Sequence, residues 1–388
     1  MPSTVIIVVA GYAITSGMIA AVVAIAVVAS VVMNKAFAVD TGYGDPSGNS
    51  PNLGNRQQVP PATDNKLPLV YGTAYVGGII TDLSITSDNQ KLYYVISLCE
   101  VTNNGADTIT FGDVYFGGKK VIFDGDGPSI TGLLDESTGE TSTTQAPYIQ
   151  FYFYNNGSNS PTNSSTTAIQ LMQSSGLIYT WDNTKLMTDA AFVIMVLTYN
   201  APAGITGLQQ TKFQVTNSRD SAGDCFYDYL TNTVYGAALP IAQVNTDSLT
   251  ALNTYANGSF AYTDSNGSPA TQPRFKFNGV VDVKRTIMAN LQDMSACCDC
   301  LIKYNEITAQ WGVVVQTPVY DIAMNLNDSN MVSAISISPL DLSGTYNVAE
   351  VKYPDNTSQD SFNSVTYDLA QIAPELLFPN EPVNKQSL

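Results

Sequence analysis

Leu67-Pro68-Leu69-Val70-Tyr71-Gly72-Thr73-Ala74-Tyr75-Val76-Gly77-Gly78 is the stretch whose reading decides the fold. The apolar and aromatic residues from Leu69 to Val76 suit a pleated, half-buried surface and predict strand. Gly72 interrupts that run and is predicted, with Gly279, at a turn or bulge where a side chain or a negative φ is not tolerated. Gly77-Gly78 and, further on, Gly117-Gly118 lie between strand-like runs without a dinucleotide fingerprint, so they are expected as turn formers with positive φ.

Working outward, the same pattern recurs at Leu92 to Leu98, Asp113 to Phe123, Ile149 to Tyr154 and Phe192 to Tyr199, punctuated by Gly, Asn and Asp. The first half is therefore predicted mainly as strands. Residues 155–167, rich in Asn, Ser and Thr, suggest an exposed hairpin or loop tip. Helical spacing emerges later: Val283, Ile287, Leu291, Met294 and Cys298 recur at intervals of three and four behind Asp282 as N-cap. Cys300 to Tyr304, a polar turn at Asn305 to Gln310, and Trp311 to Val315 then predict a β-hairpin packed on that helix. A shorter helix is expected around Phe226, Tyr229 and Leu230. No fixed-period repeat is evident, which argues against solenoids and propellers.

Upstream lies a different kind of sequence. From Val5 to Met33 no charged residue appears in 29 positions of mostly Val, Ile and Ala. As a helix it would span ~43 Å, enough for a bilayer. A signal peptide is disfavoured, since Met1-Pro2-Ser3-Thr4 carries no basic side chain and the apolar run is about twice the usual length. A membrane anchor and an apolar helix buried in an assembly, with Gly11, Ala20, Ala24 and Ser30 allowing close approach, both fit. Residues 39–66 lack apolar periodicity and read as a linker.

With 33 acidic against 16 basic residues and a net charge of -17, the chain is unsuited to neutralising phosphates, so no sequence-specific nucleic-acid contact is expected. Charged residues make up only 13%, which leaves a hydrogen-bonding surface rather than an ionic one. The chain has no histidine, which excludes Ser-His-Asp and Cys-His nucleophile arrangements and histidine-bearing zinc motifs. The five cysteines are too sparse for a disulfide framework. Cys297, Cys298 and Cys300 are expected to be structural, Cys298 lying on the apolar helix stripe. Catalytic, cofactor-binding and metal-ligating residues are accordingly predicted to be none. A glycosidase would need two carboxylates at suitable separation in one cleft.

Several motifs, in order, resemble the tail tip attachment protein J family of long-tailed bacteriophages. Leu67 to Gly78 is similar to the strand pair that opens that family's hub. Leu92-Tyr93-Tyr94-Val95-Ile96-Ser97-Leu98-Cys99-Glu100 and Asp113-Val114-Tyr115-Phe116-Gly117-Gly118-Lys119 resemble its next two strands, with Val101 where glycine is usual. Asp228-Tyr229-Leu230-Thr231-Asn232-Thr233-Val234-Tyr235-Gly236 resembles its "D-Y-L-T-N-x-R-Y-G" element, with Val234 where arginine is common. Arg274-Phe275-Lys276-Phe277-Asn278-Gly279-Val280-Val281-Asp282 and Tyr346 to Asp355 complete the series. The aromatic residues also suit a core and the glycines suit turns, so shared fold rather than shared chemistry is what the motifs support.

The resemblance, over residues 67 to about 368, implies a structural virion protein rather than an enzyme: a homotrimeric hub resembling the T4 baseplate hub. It would close the tail tube, contact distal tail or tail tube proteins and the tape measure protein, and open for DNA ejection. The protein would be made in the host cytoplasm and reside at the phage tail tip, with residues 5–33 available to the lumen or to a host membrane. The expected fold is mainly β with some α: β-barrel-like domains with a few short helices, preceded by a long apolar N-terminal helix. The expected layout is 1–38 apolar segment, 39–66 linker, 67–216 first hub half with an inserted β-rich unit at about 124–190, and 217–388 second half with the helix-hairpin. An exported or membrane-anchored β-rich surface protein is the alternative, favoured by the apolar N-terminus and by sequons such as Asn156-Gly157-Ser158 and Asn257-Gly258-Ser259. A tail-associated wall-degrading enzyme is a third class.

Overall fold

The computed structural model describes residues 7–9, 12–14, 65–174, 176–263, 268–317, 325–327, 329, 331, 346–355, 359–372, 383 and 385–387. Two compact units divide at Val314 and Val315. Of the apolar N-terminal stretch, the described residues are strands β1 (Ile7–Val9) and β2 (Tyr12–Ile14), paired antiparallel. This corrects the helix expected over residues 5–33 at those positions, where Ile7, Val8, Val9 and Ile14 are β-branched and suit strand. The remainder of that segment and nearly all of the 39–66 linker lie outside the described residues.

The first unit is built on two six-stranded sheets. Its strands are β3 (Leu69–Tyr71), β4 (Thr73–Val76), β5 (Ile79–Ile85), β6 (Lys91–Glu100), β7 (Ile109–Phe116), β8 (Lys119–Phe123), β9 (Ile130–Asp135), β10 (Glu140–Ser142), β11 (Ile149–Tyr154), β12 (Ala190–Thr198), β13 (Thr211–Asn217), β14 (Ser259–Thr263), β15 (Pro269–Pro273) and β16 (Gly279–Val281). One sheet runs β10-β9-β8-β7-β13-β4; the other runs β11-β12-β6-β3-β16, with β5 also paired to β6. Strands β14 and β15 form a separate hairpin.

The two sheets face each other across one apolar core. Val76, Val114, Phe116, Val121, Leu133 and Phe213 come from the first sheet, and Val70, Ile96, Leu98, Phe151, Val193 and Met195 from the second. Burying one face of each sheet this way is the sandwich solution. The expected β-barrel-like closure is not what forms: among the described residues both sheets keep end strands, β10 and β4 in one, β11, β5 and β16 in the other. Closure needs the edges to meet with a fixed stagger, whereas here the chain changes sheets instead. It does so at Gly72, between β3 in one sheet and β4 in the other.

Gly72 has φ +62°, and a Cβ there would fall 1.9 Å from the backbone oxygen of Phe277. Its N–H donates to the Arg219 carbonyl and its carbonyl accepts from the Asn217 N–H. The expectation for Gly72 is thus borne out. That for Gly279 is corrected: it lies within β16 opposite Tyr71, without positive φ, and a Cβ would meet open space. Gly117 and Gly118, at φ +57° and +79°, make the two-residue turn joining β7 to β8, and Gly78 has φ +77°, as predicted for turn glycines.

The second sheet is buried on both faces, and β12 therefore reads as an almost continuous apolar run. Its outer face, with Tyr93, Val95, Phe192, Ile194 and Val196, packs on Leu171, Met172 and Trp181. Leu171 and Met172 sit on the short helix α1 (Ala168–Met172), which opens with a Thr167–Gln170 capping box. Trp181 Nε1 donates to Asp82 Oδ2 at 2.7 Å and ties this cover to β5. The polar run 155–167 feeding α1 is pinned rather than an exposed tip, which corrects the expectation for it. Ser158 is fully buried, donating to the Lys185 carbonyl, and Asn163 bonds the N–H of Phe153 and the carbonyl of Phe151.

Helix α2 (Ala222–Thr231) contains Phe226, Tyr229 and Leu230 as expected and packs on α3 (Thr246–Ala256). Gly223 lets the helices approach, since a Cβ there would lie 2.1 Å from the Leu249 carbonyl. Helix α4 (Ile287–Cys297) buries Leu291 and Met294, but its N-cap is Thr286, whose hydroxyl accepts from the Ala289 N–H. Asp282, expected to cap it, instead accepts from the Lys284 N–H in the preceding turn, leaving Val283 outside the helix. The predicted hairpin follows as β17 (Cys300–Asn305) and β18 (Gln310–Val315), with β17 against α4.

In the second unit, β19 (Val348–Asp355) pairs antiparallel with β20 (Ser361–Asp368) and parallel with β21 (Lys385–Ser387); α5 (Leu369–Ile372) follows β20. Among the described residues no helix is long and apolar enough to cross a membrane.

The corner generates a contrast between two glycines. We expect Gly72→Val to lower unfolding free energy by about 2 kcal/mol or more through αL strain and backbone collision. Gly279→Val should stay within about 0.5 kcal/mol of the parent, as for a compatible strand position. Urea unfolding of the three proteins checks both, and equal losses would refute the corner.

Candidate functional site

Motif residues far apart in sequence meet at the corner. Tyr71, at the end of β3, donates its hydroxyl to Asp228 Oδ2 at 2.8 Å across 157 residues. Tyr235 donates to the same carboxylate, 3.0 and 2.9 Å from its oxygens, and the Asn103 N–H reaches Oδ1 at 3.0 Å. Asp228 sits on α2 and is only 5% exposed. Burial first, and then the Asp228 charge, push the hydroxyls of Tyr71 and Tyr235 above the usual tyrosine range. Both remain protonated donors well beyond neutral pH.

A second charged pair lies beside it. Arg219 grips Asp107 in a fork, Nε to Oδ2 at 2.6 Å and Nη2 to Oδ1 at 3.1 Å, while Thr102 donates to Oδ2 at 2.5 Å. Asn217 joins the two groups by donating to the Val70 carbonyl and the Thr102 hydroxyl, both at 2.7 Å. The other face of the corner is closed by the Phe277-Asn278 segment: Asn278 Oδ1 accepts from the Thr73 N–H, and the Phe277 N–H donates to the Asp220 carbonyl. Phe277 packs on Phe226, ring centres 5.9 Å apart.

The rest of the Asp228–Gly236 motif completes α2. Tyr229 accepts at its hydroxyl from Asn290 of α4 at 2.7 Å, and Asn232 Oδ1 accepts the N–H groups of Val234 and Tyr235. Gly236 has no room for a side chain, since a Cβ would lie 2.2 Å from the Tyr229 carbonyl. Asp228, Tyr229, Asn232, Tyr235 and Gly236 of this motif each have a packing or hydrogen-bonding task, while Val234 is exposed. A cleft of about 240 Å³ opens beside Asp228 and Arg219, but these two charged groups are already engaged, with Tyr71 and Tyr235 and with Asp107 respectively.

A larger cleft, about 500 Å³, lies at one end of the sandwich and is lined by Phe111, Phe123 and Phe153 with Thr110, Asp126 and Asn155 among its polar residues. Asp126 is the one carboxylate in its lining, so the carboxylate pair required of a glycosidase is not assembled there.

The cysteine triplet is split by the end of α4. Cys298 and Cys300 are buried with sulfurs 3.5 Å apart, Cys298 also donating to the Met294 carbonyl, while Cys297 is exposed. The contact with Cys300, then burial, raises the Cys298 thiol above its usual range. Among the described residues no three His, Cys, Asp or Glu side chains gather as a metal-binding group. Cys99, buried in β6, is pushed up to about 12 by burial and by Glu100, and Cys225 is likewise raised by burial. Such thiols are poor nucleophiles.

No family model and no curated protein matches this chain. Among solved structures it is similar to a chain of the "Virion of native gene transfer agent (GTA) particle". That chain is 10% identical; the match covers 89% of this chain and 72% of that one, with a TM-score of 0.41.

Two outcomes follow from these geometries. Asp228→Ala removes the acceptor of the buried Tyr71 hydroxyl and the half-buried Tyr235 hydroxyl, and we expect a loss of about 3 kcal/mol, with Tyr235→Phe costing about 1–2 kcal/mol. Denaturant unfolding checks this; a neutral Asp228→Ala would refute the junction. Separately, burial and then repulsion from Asp189 raise Glu100 to about 6. A carboxyl raised on folding favours the protonated native state, so its contribution is fully present below the unfolded glutamate pKa and lost as pH rises through about 6. Glu100→Gln should therefore raise the melting temperature at pH 8 and flatten its change between pH 8 and pH 5.

Proposed function

We propose that this chain is a structural virion protein that forms the central hub of a bacteriophage tail tip. One observation carries the reading: three of the motifs resembling the tail tip attachment protein J family, around Tyr71, Asp228 and Phe277, converge on one corner of the fold. The shared letters thus specify how the chain changes sheets and how α2 docks, which is what a common scaffold requires. Their polar atoms are spent on internal hydrogen bonds, which suits a load-bearing part better than a reaction centre.

In this role three copies ring the tail axis, close the tube, and contact distal tail or tube proteins and the tape measure protein. The apolar stretch 5–33 faces the lumen before infection and a host membrane after opening. With a net charge of -17, copies repel one another, so apolar and backbone contacts must hold the ring.

The test is image averaging of purified tails combined with mass measurement. Three copies at the tip, with this fold docked in the density, are expected. A monomer absent from particles would overturn the reading.

A further inference from the structure

The larger cleft exists because two strands part company. After the Gly117-Gly118 turn, β7 and β8 pair through Phe116–Lys119 and Tyr115–Lys120 only. Beyond that, β7 follows β13 and β8 follows β9, so a gap opens toward Ile109 and Phe123. The core between the sheets is exposed at this mouth. Phe111 and Phe123 are partly buried against it, and Phe153 of β11 forms the floor, 4.9 Å from Phe111 between ring centres and 5.9 Å from Phe123.

The polar groups at the rim differ from those of the corner. Asp126 and Asn155 line the cleft and their side chains make no hydrogen bond to the described residues, whereas Asn163 beside them is occupied with backbone groups. Gly125 and Gly127, in the turn after β8, add no side chain beside the mouth. No Lys or Arg is in the lining, and Asp126 brings negative charge to an acidic chain.

We infer that this cleft binds a neutral saccharide. Its volume lies in the range of small-molecule sites, and aromatic rings give the apolar ring face of a sugar a surface to stack on. A carboxylate acceptor and an amide that both donates and accepts are the complement that adjacent sugar hydroxyls require. Phosphorylated, sulfated or nucleic-acid ligands are rejected by the absence of cations and the presence of Asp126. An extended peptide laid between the parted strands is the competing occupant, and it would bond main chain rather than the Asp126 and Asn155 side chains.

The experiment uses the full chain with neutral oligosaccharides of glucose, galactose and N-acetylglucosamine, two to four units long, screened by saturation-transfer NMR and titrated by calorimetry. At least one series should bind with Kd in the range of about 0.1–10 mM, and Asn155→Ala or Asp126→Ala should weaken it about tenfold, the equivalent of about 1.4 kcal/mol. These two rim variants lie outside the core and test the site even if Phe111→Ala fails to fold. Phe260→Ala, on the separate hairpin, should leave binding unchanged. Absence of binding by all three series, binding indifferent to both rim variants, or occupation by an unstructured apolar peptide instead would each overturn the assignment. None of these results bears on the hub reading, which rests on particle symmetry.

Discussion

A carboxylate removed from water must be supplied with donors, and Asp228 obtains them from three separate parts of the chain. Tyr71 arrives from the β3 end, Tyr235 from the turn after α2, and Asn103 from the loop after β6. Leaving out any one of them would expose the desolvation cost of the remaining group, so the segments are fixed together rather than individually. Tyr71 can reach the site only because the next residue turns the chain sharply. At Gly72 both the positive φ and the closeness of the Phe277 carbonyl exclude a side chain. The sheet change, the docking of α2 and the placement of Phe277-Asn278 ahead of β16 thus depend on one buried charge and one missing methyl group.

What was legible beforehand followed from local physics. Strands β6, β11 and β12 announced themselves by apolar and β-branched runs, and α2, α4 and the hairpin after α4 by spacing and turn residues. What was not legible depended on partners. Whether sheets close into a barrel or stack as a sandwich is decided by which edges meet, and no local pattern encodes that. Gly72 and Gly279 look alike as letters, yet one sits at a left-handed corner and the other in a strand with open space above it. Asp282 and Thr286 are both competent caps four residues apart. The choice fell to Thr286, while the carbonyl of Asp282 accepts from the Asn290 side chain at 2.9 Å, which stabilises the preceding turn as a separate feature.

Helix α3 escaped prediction because its exposed positions are mostly Thr and Asp, residues of weak helix propensity. In hindsight the signal was there: Asn245 as a cap, followed by Leu249, Leu252 and Ala256 on one face. The 155–167 run misled in the opposite direction. Its Ser158 and Asn163 side chains replace missing backbone partners, which ties the run to its neighbours. Composition alone cannot separate these cases, since polar letters serve equally for meeting water and for closing a buried loop.

That distinction also separates the two clefts. Around Asp228 and Arg219 the polar atoms are saturated by the protein itself, so a ligand entering there would have to break bonds worth as much as those it made. At the mouth between β7 and β8 the situation is reversed: aromatic surface is left uncovered and neighbouring polar groups are left free. Free polar groups beside uncovered rings gain most from an occupant that offers hydroxyls and a hydrocarbon face together. The two regions adjoin along β7 and β13, where Ile109 at the mouth pairs with Asn217 of the corner, so the saturated scaffold supports the open site that we propose for recognition.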